Sequence, residues 1–97
     1  MRSQRKIDEM RRALNERDLL HELKKRCRKY YVSIDDVLGT RRERHIVRAR
    51  KDCVVFMHDS GLGCSSIARL LGLNHATVLY HINNPMRDGS RNEPSEA

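Results

Sequence analysis

A chain of 97 residues makes one domain with a small core, and with a single Phe and no Trp that core has to be aliphatic. The net charge of +7 points away from acidic partners and toward polyanions, while the lack of a long apolar run or an apolar leader gives no reason to expect a membrane span or a signal peptide. Three cysteines (Cys27, Cys53, Cys64) with no C-x-x-C pair, and five histidines at spacings that match no zinc pattern, predict no metal and no cofactor. Two of the thiols have apolar neighbours at helical spacing and read as buried, which fits a reducing, cytoplasmic compartment.

In chain order, residues 4–31 contain neither Gly nor Pro. Ile7, Met10, Leu14, Leu20, Leu23, Cys27 and Tyr30 recur at spacings of three and four with one skip, the pattern of an amphipathic helix. The skip falls at Asn15-Glu16-Arg17-Asp18, where Asn and Asp favour a restart. Residues 1–18 are therefore expected to form an N-terminal helical extension and residues 19–84 the domain itself. Ser33 followed by Asp36 resembles a capping box ahead of a short helix, with Gly39 as its stop.

Thr40 caps the next helix, or that helix starts a few residues later. Ile46, Val47, Cys53, Val54 and Met57 give it a buried stripe reaching about Asp59. Its first turns are expected to carry Arg41, Arg42, Arg44, Arg48, Arg50 and Lys51. Six cations near a helix N-terminus oppose the macrodipole, so an anion is expected to meet them. The whole chain is lopsided in the same sense: residues 1–51 carry a net +9 and residues 52–97 a net −2.

Ser60-Gly61-Leu62-Gly63 reads as a loop, and Cys64 or Ser65 opens a helix that Gly72 ends. Asn74 caps a last helix from His75 to about Asn83, and Asn84-Pro85 stops it. Residues 85–97 are polar and expected to be a disordered tail. The fold class is thus all-α, with about five helices and an extended N-terminal one.

Residues 64–82 carry the strongest functional signal. A helix-turn-helix needs a small residue where its helices cross, a residue tolerating positive φ in the turn, and an apolar anchor on the second helix. Ala68, Gly72 and Val78 meet those needs in order, with Ile67, Leu71 and Ile82 as further buried positions. The second helix then presents His75, Ala76 and Thr77 near its N-terminus and His81 one turn on, where recognition helices contact bases. Tyr80 reads as a packing residue.

Residues 27–82 resemble the C-terminal DNA-binding domain of the bacterial replication initiator DnaA. The resemblance rests on C-R-K-Y-Y-V-S-I-D-D-V-L (27–38), R-R-E-R-H-I-V-R-A-R (41–50), S-G-L-G-C-S-S-I (60–67) and N-H-A-T-V-L-Y-H (74–81). It implies a Trp-repressor-like helix-turn-helix that reads short duplex boxes. It further implies that Arg42 enters the minor groove, that Asn74, His75, Ala76 and Thr77 occupy the recognition motif, and that Lys51, Arg48 and Arg50 hold phosphates. Arg41, Arg44 and Ser65 complete the expected phosphate set. The family's Asp, first Thr and small Ala are here Asn74, Ala76 and His81. Asn both donates and accepts and prefers adenine, so a shifted target sequence is expected.

No P-loop sequence and no catalytic constellation occurs, so neither ATPase nor other enzyme activity is expected. The expected role is sequence-specific binding of double-stranded DNA, nucleoid-associated, regulating replication initiation or transcription. The alternative is a helical interaction module that homodimerises through the Ile7, Met10 and Leu14 stripe and delivers a basic helix-turn-helix to non-specific DNA as a repressor.

Overall fold

The computed structural model describes residues 2–84; the expected tail lies outside the described residues. Six helices follow one another: α1 (Gln4–Glu16), α2 (Leu20–Lys29), α3 (Ile34–Leu38), α4 (Arg44–Asp59), α5 (Cys64–Leu71) and α6 (His75–Asn83). No strand occurs among the described residues, so the domain is all-α.

Local chemistry sets most boundaries. Ser3 caps α1 by accepting from the Lys6 N–H at 3.2 Å. The skip in the apolar pattern is a true break, because Asp18 adopts φ +60° and the Leu19 N–H closes back on the Leu14 carbonyl at 2.9 Å. The N-terminal stretch is therefore two helices, which raises the expected five to six. The second of these ends at Lys29, since Tyr31 also turns left-handed at φ +59°. Ser33 and Asp36 form a complete capping box for α3. Gly39 does end α3, but in an extended conformation with φ −83° rather than a left-handed one.

The start of α4 departs from expectation. Its N-cap is Glu43, not Thr40, and Arg41 and Arg42 lie in the preceding loop. Arg41 holds that loop open by pairing with Asp36 at 3.7 Å and Glu43 at 2.7 Å. Those pairs and the extended cap residue stop the helix from propagating backward.

The α4 helix runs through the middle of the domain, packing on α2, α3, α5 and α6, while α1 lies across α2, α3 and α5. Leu14, Leu23, Leu38, Cys53, Met57 and Ile67 are among the fully buried side chains that meet between them. The only Phe, Phe56, sits half-buried at the edge beneath the Arg26 guanidinium, 4.2 Å from its ring centre. Tyr30 ties α2 to α4 by donating its hydroxyl to Asp52 at 2.9 Å, beside the Lys29 ammonium at 2.9 Å.

The expected N-terminal extension, as far as α1 shows it, is not an appended arm. Ile7, Met10 and Leu14 are buried in the same core as the other helices. Arg2 extends that attachment, donating to the carbonyls of Leu38, Gly39 and Gly72. The stripe proposed for dimerisation is therefore covered within the chain itself.

Candidate nucleic-acid interface

Helices α5 and α6 make the expected turn. Gly72 takes φ +68°, and the Leu73 N–H returns to the Ala68 carbonyl at 2.9 Å. The positive φ favours glycine there; a Cβ would also crowd the Arg2 guanidinium carbon at 2.9 Å and the Met10 terminal methyl at 3.0 Å, the mobile ends of two long side chains. Ile67, Leu71 and Val78 are fully buried, while Ala68 and Ile82 are half-buried where the helices meet.

Asn74 caps α6, its side-chain oxygen accepting from the Thr77 N–H at 2.8 Å. One lone pair of the oxygen is thereby used in the cap. Asn74 is exposed, so its amide NH2 and the second lone pair of its oxygen stay open to solvent while the cap holds. His75 and Ala76 are exposed and Thr77 is half-buried.

His81 is not on the outer face. It is 5% exposed, packed with Val78 and Ile82 against the body of the domain. Burial first, then the charges of Lys51 and Arg50, press its pKa down to about 4, and its Nδ1 has no hydrogen-bond partner. A neutral, enclosed imidazole cannot reach a base edge. The outward positions of α6 are instead His75, Ala76, Leu79, Tyr80 and Asn83. Leu79 and Tyr80 are 41% and 58% exposed, unusual for large apolar side chains.

Arg50 is likewise withdrawn. It is 6% exposed, and its guanidinium donates to the carbonyls of Val37 and Arg41 at 3.0 Å and of Asp36 and Gly39 at 3.3 and 3.4 Å. Burial, reinforced by Arg2 and Arg42, lowers its pKa. It locks α3 and the 40–43 loop to α4, with its Nε and Nη2 taken up by main-chain carbonyls.

Arg42, the expected minor-groove residue, and the other expected phosphate residues are at least partly exposed. Arg42 and Arg44 are exposed at the entrance to α4, Arg41 is exposed within its two ion pairs, and Arg48 is half-buried. Lys51 is half-buried with its ammonium 5.6 Å from the Tyr80 ring centre, which joins the basic side of α4 to the face of α6. Ser65 is exposed in the first turn of α5, a helix whose N-cap, Gly63, supplies no side-chain acceptor. The first-turn N–H groups of α5 thus face outward beside Ser65.

Two signals for these corrections were present in the sequence. Arg50 follows Ile46 by four and precedes Cys53 and Val54 by three and four, so periodicity alone places it on the inner face. His81 follows buried Val78 by three, which puts it on the same side of α6. Among the described residues no group of His, Cys, Asp and Glu clusters as metal ligands do, and no helix is long and apolar enough to cross a membrane. Neither a family model, nor a curated protein, nor a solved structure matches this chain.

Proposed function

We propose that this domain binds double-stranded DNA, with α6 in the major groove and the Arg41–Arg44 segment against the neighbouring backbone and minor groove. The observation that carries the reading is the α5–Gly72–α6 turn, whose second helix has an uncovered outer face beside a basic helix. Arg42 is the minor-groove residue, and Arg41, Arg44, Arg48, Lys51 and Ser65 contact phosphates. His75, Ala76 and Leu79 meet base edges, with Ala76 and Leu79 suited to thymine methyl groups. Asn74 and Thr77 set the helix start, and Tyr80 brings its hydroxyl to the backbone alongside Lys51. Arg50 and His81 are excluded from contact and support the surface from beneath.

On this reading the chain recognises a short box of the initiator type and acts by occupancy, without catalysis, in control of replication or transcription. Phosphate neutralisation supplies most of the affinity and the base edges the discrimination. Dimerisation through α1 is not favoured, because its apolar face is already spent in the core.

Amide NMR shifts during titration with a box-bearing duplex test the surface. Perturbations should concentrate at 41–44, 63–66 and 74–80. Perturbations confined to α1 and α2 would place the DNA elsewhere and reject the assignment.

A further inference from the structure

The proposed DNA surface accounts for the cations from Arg41 to Lys51. Residues 1–31 carry 11 Lys and Arg against 5 Asp and Glu, a net +6 that this surface does not use. Three of these cations line a cleft of about 330 Å³: Arg11 from α1, and Lys24 and Arg28 from α2. Val32, Ser33 and Asp35 close it at the start of α3. No lining residue belongs to α4, α5 or α6, so the cleft is separate from the helix-turn-helix face.

The cations of α2 differ in how they are neutralised. Lys25 pairs with Glu22 at 3.8 Å and Lys29 with Asp52 at 2.9 Å, whereas Lys24 and Arg28 have no carboxylate partner among the described residues. These two stand four residues apart on one face, a spacing at which like charges cost a helix stability. Arg11 makes two loose ion pairs, with Asp8 at 3.6 Å and Asp35 at 3.5 Å. Asp35, the one carboxylate lining the cleft, also receives the Gln4 amide at 3.4 Å. The Ser33 oxygen accepts from the Asp36 N–H, which leaves its hydroxyl proton to donate. Cations that outnumber the carboxylate three to one, with a hydroxyl donor beside them, suit a phosphate group.

The chain places an aromatic ring next to this cleft. The Tyr31 N–H closes on the Arg28 carbonyl at 3.2 Å, and Val32 follows it, so two lining residues hold its backbone at the rim. Its side chain is 94% exposed and its backbone left-handed at φ +59°. A bulky residue in that conformation strains the chain, and a ring wholly in solvent adds nothing to the core. Tyr30, by contrast, is half-buried and tied to Asp52. Beside a phosphate-binding cleft, a free ring is a platform for a base.

We propose that this cleft is a nucleotide site, with Arg11, Lys24 and Arg28 on the phosphate and the Tyr31 ring against the base. A free mononucleotide and one unit of a single strand offer the same chemistry. Bases inside a duplex are already stacked on one another and do not reach Tyr31. The proposal is independent of the duplex contact at α6.

The test follows amide NMR shifts of the full chain on titration with thymidine monophosphate, a short oligothymidylate strand, a duplex and inorganic phosphate. Saturable shifts at Arg11, Lys24, Arg28 and 31–35 are expected with the mononucleotide, the strand or both, and the one that binds tighter identifies the source. Lys24→Gln and Arg28→Gln together should weaken that binding about tenfold and leave the fold intact, since neither side chain has a carboxylate partner to lose. Tyr31→Gly should weaken it roughly fivefold or more. Its melting temperature should hold or rise, because glycine suits the left-handed turn. No shift at the cleft with either nucleotide ligand would overturn the proposal. So would equal shifts with inorganic phosphate or duplex, or unchanged affinity in Tyr31→Gly. The duplex reading is judged separately, at 41–44, 63–66 and 74–80, so either can fail while the other stands.

Discussion

Arg50 is the residue whose role changes most between sequence and structure. A charge on a basic helix suggests a ligand contact, yet its neighbours at three and four residues are core positions. Once inside, a guanidinium needs partners, and its Nε and Nη2 donate to four main-chain carbonyls. Arg50→Ala should destabilise the domain by about 2–4 kcal/mol in denaturant unfolding, because the Val37 and Arg41 carbonyls lose a donor and the link from α4 to α3 and the 40–43 loop goes with it. Arg50→Lys should recover little, lacking the planar fork. A variant as stable as the parent would return Arg50 to the surface set. His81 makes a related prediction through pH. Unfolded, it binds a proton near its ordinary value of 6.5; folded, only near about 4. Between those values the unfolded chain holds more protons, so its contribution to stability is complete above about 6.5 and is lost as pH falls toward about 4. Melting curves of the parent should therefore weaken faster on acidification than those of His81→Leu, the carboxylates being common to both. Parallel curves would mean that His81 is not desolvated.

At the scale of elements, the caps were the most legible part of the chain. Ser33 with Asp36, Gly72 and Asn74 each carry their conformational preference in a few adjacent atoms, and each boundary falls where those atoms require. The start of α4 was not legible, because its N-cap, Glu43, makes no side-chain capping bond that a sequence pattern would announce. The standing of α1 was ambiguous for a similar reason: a short apolar stripe fits a free arm, a dimer seam or a core wall equally well. Packing decides it, with Ile7, Met10 and Leu14 buried and Arg2 fastened to the end of α3 and to the turn at Gly72. Burying three such side chains is worth roughly 5–9 kcal/mol, comparable to the whole stability of a domain this size. Deletion of residues 1–18 should abolish the cooperative thermal transition. A truncated chain that still melts sharply would restore the reading of α1 as an arm.

For the whole molecule, sequence and structure agree on what kind of object this is: an aliphatic helical domain with its positive charge concentrated in the first half. The helix-turn-helix was legible because its three requirements fall on Ala68, Gly72 and Val78. The composition of its outer face was only half legible. Tyr80 reads as packing from the sequence, whereas the turn of α6 fixed by Val78 and His81 leaves it facing out together with Leu79. The basic segment and this face meet where Lys51 stands by Tyr80. The account thus rests on one surface holding both phosphate-binding cations and a groove-facing helix. Fluorescence anisotropy, with a duplex carrying a consensus initiator box and with a scrambled duplex over a salt series, tests that most directly. The account predicts saturable binding that favours the box and weakens with salt at a slope of about −4, as expected for four or five phosphate contacts. Absence of binding to either duplex at low salt would contradict it.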